Sequence, residues 1–262
     1  MCTLTIKFDP VAEYPLIVAA NRDELLNRPS VPPDIISTHP AIFAPKDLKA
    51  GGTWFGINEF GLLATTTNVW LPTDDGITQG EKSTRSRGLL TLDSLRCGSV
   101  AEAVNAIRTQ VLTETFQYFN LLIASTTEAV VMTFTGELKE FPLKTGVASI
   151  LNSPYKPETG TFFELPTLSK DEISSRPALL LWLEQIRTSI SSHPKICKHK
   201  DIFGTRCAQV AVLGRRDQET NKQLFQDFFW FADGAPCQTE FQNLSITLQE
   251  VTEHVSFIPE EV

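Results

Sequence analysis

Apolar residues recur in this chain at two spacings. Over most of it they alternate with polar positions or run unbroken for a few residues, the pattern of half-buried or fully buried strands. Thr3–Phe8 alternates and is rich in β-branched side chains, and Leu16–Ala20 is a short apolar run. Gly52–Ile57 and Gly61–Thr67 flank the turn Asn58-Glu59-Phe60 and predict a hairpin; Phe119–Ser125 and Glu128–Phe134 predict another. Gly146–Leu151, Cys207–Leu213 and Ser245–Val251 predict further strands. Helical spacing is clearest in two places. Ser86–Arg108 carries Leu89, Leu90, Leu92 and Leu95, then Val100, Ala103, Val104 and Ile107, with a break predicted at Cys97-Gly98. Lys170–Ile190 carries Ile173, Leu179, Leu180, Leu183 and Ile186, with Asp171 near its start. Strands, then helices, then strands again predict an α+β layered domain rather than regular βαβ winding. The proline-rich stretch Arg28–Pro33 reads as a surface loop, as do 152–170 and 190–205, and residues 1–262 read as one domain.

Composition narrows the partners. The 262 residues are 42% hydrophobic and 21% charged, ordinary for a folded chain. The formal charge of −8 is shared evenly between the two halves, with no basic patch to meet a nucleic-acid backbone or an anionic membrane. No apolar run approaches the roughly 18–20 residues of a membrane helix, so no membrane insertion is expected. The first ten residues lack the charged and apolar regions of a secretory signal. Five widely spaced cysteines, an odd number, argue against a disulfide framework. A cytoplasmic or organelle-matrix location follows as the expectation, and the oligomeric state stays open.

The chemistry starts at Cys2. Met followed by a small side chain is the usual substrate for initiator-methionine removal, which would expose an N-terminal cysteine. Such a residue carries a nucleophile with an ordinary thiol pKa of about 8.5 beside an α-amine of about 7.7–8.0. The plainer reading is a small residue opening a strand. Directly after the second strand comes Asn21-Arg22-Asp23-Glu24. If Phe8 lies opposite Leu16, Cys2 faces Arg22; a one-residue slip brings Asn21 there instead. A cation at that point favours the thiolate, and Asp23 could orient either the cation or the α-ammonium. A strand-end ion pair without chemistry is the alternative. Asn68 and Asn152 close two other predicted strands and Arg206 precedes a third; together they offer the donors an oxyanion site needs.

These motifs resemble one family. Met1-Cys2-Thr3, Asn21-Arg22-Asp23-Glu24 with Arg28-Pro29, and Gly51-Gly52-Thr53-Trp54-Phe55-Gly56 with Gly61 and Asn68 occur in its order. Ser86-Arg87-Gly88, Phe119-Asn120-Leu121-Leu122, Asn152-Ser153 and Gly204-Thr205-Arg206 follow, and the likeness thins after Arg206. The family is the NRDE family of transport and Golgi organisation proteins. The same spine is similar to the N-terminal-nucleophile hydrolases of the bile-salt hydrolase and penicillin V acylase type. That resemblance implies a four-layer αββα sandwich with the site at one end of two packed sheets. It also implies Cys2 as nucleophile, Asn68 and Asn152 as oxyanion donors, and Arg22 and Arg206 as supporting cations. Asp23 follows Arg22 at once, whereas the acylases keep their carboxylate three residues on.

Two functions are therefore expected. One is a cysteine amidohydrolase acting on linear amide C–N bonds, through Cys2, Arg22, Asp23, Asn68, Asn152 and Arg206, with no cofactor required. The other is a non-catalytic carrier of a small acidic, apolar ligand. The family association with haem mobilisation and with lipid or acyl-CoA homeostasis makes haem a transported ligand in that reading. Trp54, Phe55 and Trp70 would supply apolar surface, and none of the four histidines (His39, His193, His199, His254) sits in a haem-attachment pattern. A metal site on His193, Cys197, His199 and Cys207 competes with a solvated lysine-rich loop, and no metal is expected there.

Overall fold

The computed structural model of the chain describes residues 2–157, 184, 185, 188, 197–217 and 219–252. The helix expected over Lys170–Ile190 falls almost wholly outside these residues. In chain order the described elements begin with β1 (Thr3–Phe8), β2 (Leu16–Leu25), β3 (Ser30–Thr38), β4 (Ala41–Asp47), β5 (Phe55–Asn58) and β6 (Leu63–Asn68). A small ribbon of β7 (Leu71–Thr73) and β8 (Gly76–Thr78) leads to α1 (Arg87–Ser94) and α2 (Val100–Thr113). Then come β9 (Phe119–Ala124), β10 (Ala129–Phe134), β11 (Leu138–Pro142) and β12 (Gly146–Ile150). β13 (Phe203–Leu213), β14 (Phe228–Ala232), β15 (Gln242–Asn243) and α3 (Ser245–Thr252) complete the set.

Two antiparallel sheets result. The first runs β12-β1-β2-β13-β14-β15 and the second β11-β10-β9-β6-β5-β4-β3. Strand alternation sends Leu4, Ile6 and Phe8 of β1 and Leu16, Val18 and Ala20 of β2 to the face between the sheets. They meet Phe43, Phe55, Ile57, Leu63, Leu122 and Val131 of the second sheet. Phe229 of β14 wedges edge-on against Phe43 at 5.0 Å and tilts on Phe55 at 5.7 Å. Ile17, Ala19, Val210, Val212 and Trp230 form an apolar layer on the other face of the first sheet. Leu90, Val100, Ala103, Val104 and Ile107 of α1 and α2 cover the other face of the second.

The helix break expected at Cys97-Gly98 has a physical cause. Asn58, fully buried at the end of β5, donates from Nδ2 to the carbonyls of Leu95 (2.9 Å) and Cys97 (2.8 Å). Ser99 then caps α2, its side chain accepting the Glu102 N–H.

Three expectations need correction. The Arg28–Pro33 stretch is not a loop from Ser30 onward: it opens β3, the edge strand of the second sheet. Pro32 and Pro33 are tolerated there because an edge strand leaves one row of N–H positions unused, and the pairing with β4 shifts register around them. Ser245–Val251 is helix α3, not a strand. Its buried positions, Ser245, Leu248, Val251 and Thr252, follow helical spacing, while Ile246, whose alternation with Leu248 mimics a strand, is 76% exposed. The loop expected over 190–205 gives way to β13 at Phe203.

Candidate active site

The register places Cys2 beside one of its expected partners. β1 and β2 pair with Phe8 opposite Leu16 and end at Thr3 opposite Asn21, so the next position sets Cys2 beside Arg22. On the other side β1 pairs with β12 only as far as Leu4 opposite Ile150, and Asn152 lies two residues past the end of that pairing. The half-buried Cys2 thiol reaches the Asp23 carbonyl, Sγ to O 3.7 Å.

Alternation then splits the Arg22-Asp23 pair. Arg22 continues the inward series Leu16, Val18, Ala20 and enters the sandwich, where its guanidinium lies 4.1 Å above the Trp54 ring. Its Nη2 donates to Asp47 Oδ2 at 2.9 Å, and Arg28 Nε donates to the same oxygen at 2.7 Å. Glu24 adds a looser clasp, 3.5 Å from Arg28 and 3.9 Å from Arg22. Asp47, not Asp23, is the carboxylate that orients Arg22. Burial pushes the Asp47 carboxyl up, but the Ala50 N–H and the Arg28 and Arg22 guanidiniums outweigh it and hold its pKa below the usual value.

Asp23 is buried on a different set of partners. It accepts from Thr205 Oγ1 at 2.7 Å and pairs with Lys198 Nζ at 3.1 Å. Its charge still acts on Cys2. Burial raises the thiol pKa most, Asp23 raises it further, and the Asp23 carbonyl contact and Arg22 partly offset this. The thiol is therefore held protonated in this arrangement.

The two asparagines are brought together. Asn152 Nδ2 donates to the Asn68 carbonyl at 2.5 Å, and the Asn152 carbonyl accepts the Trp70 N–H at 2.7 Å. Asn120, buried in β9, holds this segment: its Nδ2 donates to the Leu151 and Ser153 carbonyls, both at 2.9 Å. Its Oδ1 accepts from Thr133 Oγ1 and the Tyr155 N–H. Arg206 is placed differently. It is the extra residue of a β-bulge between Thr205 and Cys207, and its Nη1 lies 3.7 Å from Asp233.

Arg87 is the cation that sequence reasoning missed. It opens α1 after the Ser86 cap, and its Nη1 donates to Gln79 Oε1 (2.9 Å) and the Tyr118 carbonyl (3.0 Å). Burial lowers its pKa to about 10, while Cys2, once ionised, and the Glu24 carboxylate pull the other way. Two glycine motifs put it there. A Cβ on Gly52 would lie 2.3 Å from the Gly88 carbonyl carbon, and Thr53 N–H donates to the Gly88 carbonyl at 3.0 Å. This backbone contact docks the start of α1 on the Gly51-Gly52-Thr53-Trp54 turn, bringing Arg87 and Trp54 to one cluster. Trp54 and Phe55, expected as apolar lining, both pack in the inter-sheet core, Trp54 9% exposed and Phe55 fully buried.

The profile of the family described as Transport and Golgi organisation 2 matches residues 1–232. A Transport and Golgi organization 2 homolog from Mus musculus is 36% identical over 151 residues, 53% of this chain and 51% of that protein. A homolog from Homo sapiens is 41% identical over 103 residues, 36% of this chain and 37% of that protein. The matches thus span about half the length of the first relative and little more than a third of the second. Among solved structures, penicillin V acylase from Agrobacterium tumefaciens superposes with a TM-score of 0.55 at 16% identity, covering 93% of this chain and 86% of that one. A mutant conjugated bile acid hydrolase from Clostridium perfringens gives 0.52 at 12% identity, covering 94% and 93%. At such identities the likeness shows the fold alone: the α+β sandwich of N-terminal-nucleophile acylases.

Proposed function

Because the chain belongs to the Transport and Golgi organisation 2 family, with the sandwich of N-terminal-nucleophile acylases, we propose that it is an N-terminal-cysteine amidohydrolase acting on linear amide C–N bonds. The observation that supports the reading is the register of β1 against β2, which sets Cys2 beside Arg22, with the Asn152–Asn68 contact following the end of the β1–β12 pairing. Loss of Met1 gives Cys2 its own α-amine. That amine takes the thiol proton as Sγ attacks the amide carbonyl, then delivers it to the departing amine as the C–N bond breaks. Water hydrolyses the resulting thioester, returning the thiol and releasing the acid. Asn68 and Asn152 supply amide donors to the oxyanion, and losing one such donor costs about 100–1,000-fold in rate. Arg22, fixed by Asp47 and Trp54, and Arg87 favour the thiolate and an acidic substrate. Arg206, on the β13 bulge beside Asp233, is a supporting cation by resemblance only. Turnover of N-acyl amides by the Met1-free chain, measured as released amine, should vanish in Cys2→Ala while the fold is kept; equal turnover in that variant rejects the reading.

One observation favours a carrier instead: the Arg22 guanidinium lies 4.1 Å above the Trp54 ring, a cation on an aromatic face. In that reading the Arg22–Trp54 stack receives an anionic group of an apolar cargo, a carboxylate of haem or a phosphate of an acyl-CoA. A haem titration with a Soret shift that Arg22→Ala abolishes supports it, and an unchanged spectrum at micromolar haem rejects it.

A further inference from the structure

Away from Cys2 the fold assembles a second set of reactive side chains. Residues 197–200 run extended against the start of β13: His199 bridges Gly204, Lys198 accepts the Thr205 N–H at 2.9 Å, and Lys200 N–H donates to Phe203. Extended backbone puts Cys197 and His199 on one face and Lys198 on the other, where it meets Asp23. Cys237 arrives from the loop after β14. Ala235 accepts the N–H groups of Gln238 and Thr239, closing a turn at whose neck a Cβ on Gly234 would lie 2.3 Å from Thr239 Oγ1. The turn sets Cys237 against the other two. Its Sγ lies 3.3 Å from Cys197 Sγ and 3.0 Å from His199 Nε2, and Cys197 Sγ lies 3.5 Å from His199 Nε2.

We propose that Cys197, His199 and Cys237 form a binding site for a thiophilic d¹⁰ metal ion of the zinc class. Two thiolates and one imidazole neutralise a divalent ion and match its donor preference. Tetrahedral zinc with bonds of ~2.3 Å to sulfur and ~2.0 Å to nitrogen separates two sulfurs by about 3.8 Å, and sulfur from nitrogen by about 3.5 Å. The observed edges need to open by only a few tenths of an ångström. A Cys197–Cys237 disulfide, at ~2.05 Å, needs the sulfurs to close by more than an ångström. Three protein donors leave the fourth position to water or an exchangeable ligand, and Cys237 and His199 are exposed enough to admit it. The residues differ from the His193, Cys197, His199 and Cys207 set considered from sequence. Cys207 is buried between the sheets, and His193 is outside the described residues.

Full-length protein, reduced and stripped with a chelator, should bind about one zinc per chain. Cobalt in its place should give the intense ligand-field and thiolate charge-transfer absorption of tetrahedral sulfur coordination. His199→Ala and Cys237→Ser, both at exposed positions, should lose the ion and the cobalt spectrum while keeping the far-UV circular dichroism of the parent; Cys207→Ala should keep both. Octahedral cobalt spectra, retention of the ion in Cys237→Ser, or a reduced protein that binds no zinc at micromolar concentration would each overturn the proposal.

Discussion

Cys2 and Arg22 show how single residues acquire their properties here. The thiol sits near a buried carboxylate that raises its pKa and a guanidinium that lowers it. Replacing Asp23 by Asn removes the opposing charge and frees the Lys198 cation, so alkylation of Cys2 by iodoacetamide at pH 7 should accelerate, with its pH midpoint moved down. Arg22→Gln should move it up and slow the reaction; identical profiles in both variants would contradict the electrostatic account. Arg22 depends in turn on Asp47, which it shares with Arg28. Asp47→Ala strands two guanidiniums, one buried and one partly buried, and should cost about 3–5 kcal/mol in urea unfolding. The Cys2–Arg22 adjacency was legible in the sequence because a short hairpin fixes register by counting from its turn. Asp47 was not legible: it stands 25 residues from Arg22, and nothing local links them. The assignment of Asp23 to Arg22 failed for a simple reason, since neighbours along a strand face opposite ways.

Among elements, the docking of α1 on the Gly51–Trp54 turn governs where Arg87 stands. With a Gly88 carbonyl carbon 2.3 Å from the position of a Gly52 Cβ, backbone must move to admit any side chain there. Gly52→Ala should therefore destabilise by about 1–3 kcal/mol and alter Cys2 alkylation, because Arg87 shifts with α1. A Gly52→Ala protein with parental stability and reactivity would show that the docking does not matter. Of the strands at Cys2, β1 was legible from period-two alternation and β2 from its short apolar run. β3 was hidden by its prolines, which the edge position excuses, and α3 by an Ile246–Leu248 alternation that belongs to two faces of a helix. Asn120 shows the limit of reading motifs without contacts. It stands within one of the motifs shared with the family, yet its role, clasping the 151–153 segment to β9, is visible only once β12 is in place.

At the scale of the molecule, the alternating pattern specifies strands but not their neighbours. β6 pairs with β9 and β2 with β13 across long intervals of chain, and those pairings set Asn68 against Phe119 and Asp23 against Thr205. The Asp47 cluster spans both sheets and ties stability to pH. Its carboxyl is held below its ordinary value, so its contribution is complete above the unfolded carboxylate pKa of about 3.9 and is lost as pH falls through the lower folded value. The stability difference between the parent and Asp47→Asn should be largest near pH 6 and shrink steadily toward pH 2; a constant difference would contradict the linkage. The most direct test of the central claim is intact-mass and peptide-mapping spectrometry of the protein quenched during incubation with an N-acyl amide or activated acyl ester. The account predicts a chain lacking Met1 that carries one acyl group on Cys2, absent from Cys2→Ala. A chain that keeps Met1, or is acylated equally in Cys2→Ala, would contradict it.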